Sequence, residues 1–215
     1  MPVRDGISAA AADADVVAEN HKRYLERVAL FKRYGYDSEA ELDFVIEKAQ
    51  PVFGEVLEAG TGKGYFALAL ARKGYRFTSF DISPEEQRFA RLNLAYYGLE
   101  NRVDFLIEDA ARLSFPNRSF DVIFLVNVLH HLARPDAVAD ECARVLTLEG
   151  KIVLSDFTRE GFEKLDKLHE SEGRRHQKND VSVADIGRRL TGRGFQTVEY
   201  GTGCQHVLIA YRKFV

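Results

Sequence analysis

At 215 residues the chain accommodates one domain with a modest insertion, and 46% hydrophobic with 29% charged residues is a globular composition that excludes disordered and fibrous classes. With 30 basic against 33 acidic residues the formal net charge is −3, so no general field draws the chain onto nucleic acid or an anionic membrane. No apolar run is long enough to span a bilayer, the opening MPVRDGISAAAADADVV lacks the order of a signal peptide, and Cys142 and Cys204 are too few for a disulfide framework; a cytoplasmic protein with reduced thiols is expected.

Residues 1–15 are rich in Ala and Asp and read as a loose arm. Over 16–34 the apolar positions Val17, Tyr24, Leu25, Val28 and Phe31 recur at near-helical spacing, and Gly35 supplies a stop. A second helix spans 38–49 and closes before Pro51, after which the apolar run 55–59 is a strand that meets a glycine cluster. Helix 65–73, strand 76–80, helix 84–97, strand 103–107 and strand 121–126 follow. Ser83, Pro84 and Glu86 predict a capping box at the head of the second of these helices. Helix 136–146 leads through Glu149-Gly150 into strand 151–155, and strands separated by helices imply a parallel sheet. A charged segment, 158–180, precedes helix 182–191 and two β-rich runs, 196–200 and 206–211, whose short link permits only an antiparallel pair. No internal repeat is present.

The loop Glu58-Ala59-Gly60-Thr61-Gly62-Lys63-Gly64 follows a strand and opens a helix, where glycine lets the backbone turn tightly and approach a ligand. Alone it is compatible with an ordinary strand-to-helix turn, a dinucleotide site or an S-adenosylmethionine site. Asp81 ends the next strand, where a carboxylate can accept both hydroxyls of a ribose, and Asp109, followed by Ala110, stands after the third strand within reach of an adenine amino group.

Taken together, LEAGTGKG, FDIS, EDAARLSFPNRSFDVIFLVNVLHHL and LTLEGKIVLSDF resemble the class I S-adenosylmethionine-dependent methyltransferases, in particular the small-molecule branch typified by ubiquinone/menaquinone C-methyltransferases, over about residues 50–157. The resemblance implies that Glu58 faces the amino group of S-adenosylmethionine and that Gly60 and Gly62 pass under its methionine part. It further implies that Asp81 and Ile82 hold the adenosine, that Asp109 and Ala110 flank the base, and that Asn127 lies beside the methionine end. Ala59 and Lys63 depart from the usual pattern of the family, without excluding binding. The cofactor has no phosphates, so a helix N-terminus after Gly62 meets its carboxylate while Glu58 supports its ammonium. S-adenosyl-L-homocysteine is the expected product.

Methyl transfer relies largely on proximity and orientation. His130 and His131 follow the fourth strand at the carboxyl edge, and His130 is the candidate base or substrate contact. The residues Asn127-Val128-Leu129-His130 stand where nucleic-acid amino-methylating enzymes carry an Asn/Asp-Pro-Pro-aromatic loop, and no Pro-Cys nucleophile occurs, so a small molecule is the expected substrate. His169, His176, Cys204 and His206 could converge as soft-metal ligands, but their spacing matches no zinc motif and no metal is expected. Arg174 and Arg175 could meet an acidic substrate, although a charge run is usually a solvated face.

The predicted fold is an α/β, Rossmann-like seven-stranded sheet, mostly parallel with the last strand antiparallel and helices on both faces. Residues 1–50 are expected to form a helical cover, 51–215 the cofactor-binding domain, and 158–180 a lid. Two other functions remain compatible with these motifs: a non-catalytic S-adenosylmethionine-binding sensor or regulator, and a nicotinamide-dependent reductase.

Overall fold

The computed structural model describes residues 13–173, 175 and 178–212. Two helices, α1 (Ala14–Arg33) and α2 (Ser38–Lys48), precede the sheet. The chain then alternates through β1 (Val56–Ala59), α3 (Tyr65–Arg72), β2 (Phe77–Asp81), α4 (Pro84–Tyr96), β3 (Val103–Ile107), β4 (Phe120–Val126), α5 (Pro135–Val145) and β5 (Leu146–Phe157). It ends with α6 (Arg159–Ser171), α7 (Val183–Gly192), β6 (Phe195–Gly201) and β7 (Gln205–Arg212).

All seven strands form one sheet in the order β3-β2-β1-β4-β5-β7-β6. Neighbours from β3 to β5 pair parallel, whereas β7 is antiparallel to both β5 and β6. The mostly parallel sheet with an antiparallel last strand is as expected. What the strand runs did not disclose is that β7 inserts between β5 and β6. The chain order reverses beside β1, where β2 leaves to one side and β4 to the other, so the carboxyl ends of β1 and β4 border a crevice.

Central strands buried on both faces need apolar residues at successive positions, as β4 shows. Ile123 and Leu125 pack on one face with Val138, Cys142, Ile186 and Leu190 of α5 and α7. Phe124 and Val126 pack on the other with Leu42, Val45, Phe66 and Leu70 of α2 and α3. Burial pushes the Cys142 thiol up to about 12, so it is an inert core side chain. Lys151, in β5, is buried and donates its ammonium hydrogens to the carbonyls of Ala49 (2.5 Å) and Pro51 (2.6 Å), which ties the end of α2 to the sheet.

Two local expectations are modified. Ser83 caps α4 by accepting from the Glu86 amide at 3.2 Å, but the Ser83 amide donates to Asp81 Oδ1 at 2.9 Å, so an aspartate takes the place of the glutamate in the expected box. The full reciprocal box forms instead at Ser182 and Asp185, heading α7. Strand β5 starts at Leu146, because the Glu149-Gly150 stretch is an irregularity within the strand and not a loop before it. No helix among the described residues is long and apolar enough to cross a membrane.

The glycine loop is held close to α4. Gly64, at φ +79°, ends the loop, and a Cβ there would lie 2.6 Å from Ala90 Cβ and 2.8 Å from its Cα. Gly64→Ala is therefore expected to lower stability by about 2 kcal/mol or more, through both left-handed strain and the helix–loop clash. Gly192→Ala, outside the left-handed region with nothing within 4 Å of the added carbon, should not destabilise. Urea unfolding of the two variants checks this difference.

Candidate functional site

The site begins at the end of β1. The amides of Gly60 and Thr61 both donate to the Phe80 carbonyl, at 2.9 and 3.0 Å, which folds the glycine loop over the end of β2. Beneath it Glu58 is 2% exposed; the Ser79 hydroxyl donates to its carboxyl at 2.5 Å, and Thr61 Oγ1 lies 2.5 Å from Ser79 Oγ. Burial pushes the Glu58 carboxyl up to about 8; the Ser79 hydroxyl opposes the rise, the Asp81 charge adds to it, and the Ala67 amide opposes it. Gly60, at φ +84°, packs so closely that a Cβ would stand 2.6 Å from Val128 Cγ2, whereas beside Gly62, at φ +50°, there is open space. The Gly62 amide donates to Asp81 Oδ2 at 2.7 Å, so the Asp81 carboxylate is fixed between loop and helix by this bond and the one from Ser83.

A cavity of about 280 Å³ opens above this floor. Glu58, Gly60, Gly62, Asn127 and His130 line it together, and Phe31, Tyr36, Leu42, Tyr65, Phe157 and Leu165 complete an apolar, aromatic wall. The remaining candidates lie outside that wall. Asp81 and Ile82 stand at the end of β2, with Ile82 70% exposed, and Asp109 and Ala110 follow β3, which pairs with β2 through Asp81 and Ile107. Asp109 accepts from the Ala111 amide at 2.9 Å and pairs with Arg134 at 2.5 Å. These four form an open shelf along the same sheet edge.

His130 is buried within a short 3-10 turn, Leu129–His131, and its Nδ1 lies 2.7 and 2.9 Å from the two oxygens of Asp156. The His130 and Phe157 amides also donate to that carboxylate, at 3.0 and 2.8 Å. With Nδ1 turned to the carboxylate, Nε2 is the ring's other hydrogen-bonding position. Asn127, at φ +55°, turns the chain out of β4; its Oδ1 accepts from Gln205 Nε2 at 2.6 Å, and Tyr36 hydrogen-bonds its side chain. Burial raises the Tyr36 phenol above its ordinary range, so it stays protonated.

Asp156, Gln205 and Ser79 were not anticipated from the sequence. Asp156 had a visible signal, an acid at the end of an apolar strand as Asp81 is, but its adjacency to His130 follows from the β4–β5 register that sets Val126 beside Ser155. The soft-metal candidates do not assemble among the described residues. Cys204 Sγ accepts from Lys164 Nζ at 3.1 Å, His206 Nε2 pairs with Glu199 at 2.9 Å, and His169 lines a different cavity. His176 and Arg174 lie outside the described residues.

Residues 57–154 match the family described as "Methyltransferase domain". The chain is 28% identical over 165 residues to a ubiquinone biosynthesis O-methyltransferase of Xanthomonas axonopodis pv. citri, covering 72% of this chain and 68% of that one. A protein of the same description from Xanthomonas oryzae pv. oryzae is 33% identical over 121 residues, 55% of this chain and about half (49%) of its own length. Among solved structures the fold is similar to that of the glycopeptide N-methyltransferase MtfA complexed with S-adenosyl-L-methionine, with a TM-score of 0.68, 17% identity, and 82% and 94% of the two chains covered.

The elevated Glu58 carboxyl has a consequence for stability. Its folded-state value lies above its ordinary value of 4.5, so between 4.5 and about 8 the folded chain holds a proton that the unfolded chain releases, and stability falls as pH rises through that window. Glu58→Gln keeps the shape and the Ser79 bond without the titration. The variant is expected to be more stable than the parent at pH 8, by up to about 4 kcal/mol, and to lose this advantage by pH 5; urea unfolding across that range measures it.

Proposed function

We propose that this chain is a class I S-adenosylmethionine-dependent methyltransferase and that it methylates the hydroxyl oxygen of a small molecule held in the cavity between Glu58 and His130. The residues around the glycine loop fit the cofactor. Glu58 is a buried carboxyl with no cationic partner among the described residues, and the backbone at Gly62 is bare on its open side. An ammonium supplies the missing counter-charge at Glu58. The N-terminus of α3, after Gly62, faces the carboxylate of the amino-acid part, and Asn127 borders that end. Asp81 retains lone pairs for both ribose hydroxyls, Ile82 covers the adenosine, and Asp109 and Ala110 flank the base.

When bound, S-adenosylmethionine supplies an electrophilic methyl carbon on a sulfonium sulfur. His130 would take the acceptor's hydroxyl proton on Nε2. Asp156 holds the ring in the required tautomer and stabilises the imidazolium that forms. The aromatic wall excludes water and orients the acceptor. Residues 1–50, through α1 and α2, act as a cover over the domain of 51–215, and 158–180, through α6, as its lid. The observation that carries this reading is the buried His130–Asp156 pair in the wall of the cavity that also holds Glu58. The names of the O-methyltransferase relatives support an oxygen acceptor.

Calorimetric titration with S-adenosylmethionine and S-adenosylhomocysteine is expected to give about micromolar binding, with no heat from NADH as control. At pH 7 the pairing of Glu58 with an ammonium should release close to one proton, read as a dependence of the heat on buffer ionisation enthalpy that Glu58→Gln abolishes. Absence of cofactor binding would overturn the reading.

His130→Asn is expected to lower kcat by about 100-fold with cofactor Kd unchanged, and Asp156→Asn to lower it by a similar factor and to shift the pH–rate profile. Unchanged turnover in both variants would remove the proton-transfer role and leave orientation alone as the source of rate.

A further inference from the structure

A second cavity, of about 450 Å³, lies between α1, α4 and the end of α6. It shares Phe31, Lys63 and Tyr65 with the first, so the two spaces meet at those side chains. Its wall is basic although the chain is net acidic: it carries Arg23, Arg27 and Lys63 against the single carboxylate of Glu172, with which Arg27 is paired. Arg27 also lies over the Phe31 ring at 4.9 Å. Among the described residues Arg23 has only an exposed partner one turn away, Glu19 at 3.1 Å, a kind of pair that holds its cation weakly.

Lys63 is the hinge of this arrangement. Its carbonyl accepts from Asn93 Nδ2 at 2.9 Å, and Asn93 Oδ1 accepts from Asn20 Nδ2 at 2.8 Å, so its backbone is anchored through α4 to α1. Its ammonium lies 5.8 Å from the Phe89 ring and has no carboxylate partner among the described residues. Lys63 is exposed and lines both an aromatic cavity and a basic one, so its cation is placed to select charge in whatever spans both.

We propose that the second cavity seats an anionic group of the methyl acceptor, a carboxylate or a phosphate, with Lys63 as its direct contact and Arg23 and Arg27 supplying the surrounding positive field. The inference rests on the acceptor occupying the first cavity, as proposed above. The cofactor's own carboxylate is a poorer occupant. It is bonded to the carbon that bears the ammonium, and Glu58 holds that ammonium at the floor of the first cavity, whereas the Lys63 side chain leads away to Phe89 on α4.

The test is a calorimetric titration of the full chain with benzoate, phenyl phosphate and the neutral analogue benzyl alcohol, both cofactor-free and saturated with S-adenosylhomocysteine. At least one anion is expected to bind about 10-fold or more tightly than the alcohol, and the stronger of the two identifies the acidic group. That preference should shrink in about 0.5 M salt and disappear in Lys63→Met, with cofactor Kd unaltered. Equal binding of anions and alcohol, or no saturable anion binding in either state, overturns the proposal. So does a Lys63→Met variant whose main defect is a weaker cofactor Kd, since the cations would then serve the cofactor's carboxylate. Failure of the wild-type chain to bind S-adenosylhomocysteine is a separate result: it removes the methyl-transfer reading, while the cofactor-free titrations still decide whether the cavity selects anions.

Discussion

The carboxyl group of Glu58 stands at the end of the central strand almost without water, and among the described residues it has hydrogen-bond donors but no cation. Desolvation favours the neutral acid, so burial raises this carboxyl to about 8. The surrounding geometry follows from keeping this group in place. Ser79 must reach it from β2, Thr61 must reach Ser79 from the loop, and both loop amides must close on Phe80. A group suited to binding a cation is thus a liability to the unliganded fold at alkaline pH, the familiar opposition between stability and function.

Strand order determines what shares space with Glu58. Because β1 lies between β2 and β4, its loop borders Asp81 on one side and the turn containing Asn127 and His130 on the other. Because β5 lies beside β4, Asp156 comes up directly against His130. The antiparallel β7 adds Gln205, which bonds both Asn127 and Ser155 and so locks the left-handed turn at Asn127. Strands β1, β2, β4, β5 and β7 therefore contribute to the polar groups around the aromatic wall.

The segments outside the sheet supply the character of the two cavities. The first helix contributes Phe31 to the apolar space and Arg23 and Arg27 to the basic one, while α6 contributes Leu165 to the first and His169 to the second.

The local pattern of the chain was sufficient for the order of strands and helices, for the glycine loop and for the acids that end β1 and β2. Each of these depends on side-chain periodicity, on turn chemistry or on a residue's place within a single strand-to-helix unit. His130 could be singled out by its place after the fourth strand, whereas Glu58, Gly60, Gly62 and Asn127 could be singled out by the family resemblance. The partners of these residues could not. Asp156 is separated from His130 by a helix and a strand, Gln205 is farther still, and only parallel pairing and the insertion of β7 bring them together. The exchange of Glu86 for Asp81 at the Ser83 cap and the placing of Lys63, Arg23 and Arg27 around one cavity were likewise decided in three dimensions. Hydrogen bonds and fields act over a few ångströms, and sequence distance carries no record of which remote side chains the packing of helices on a sheet will bring that close.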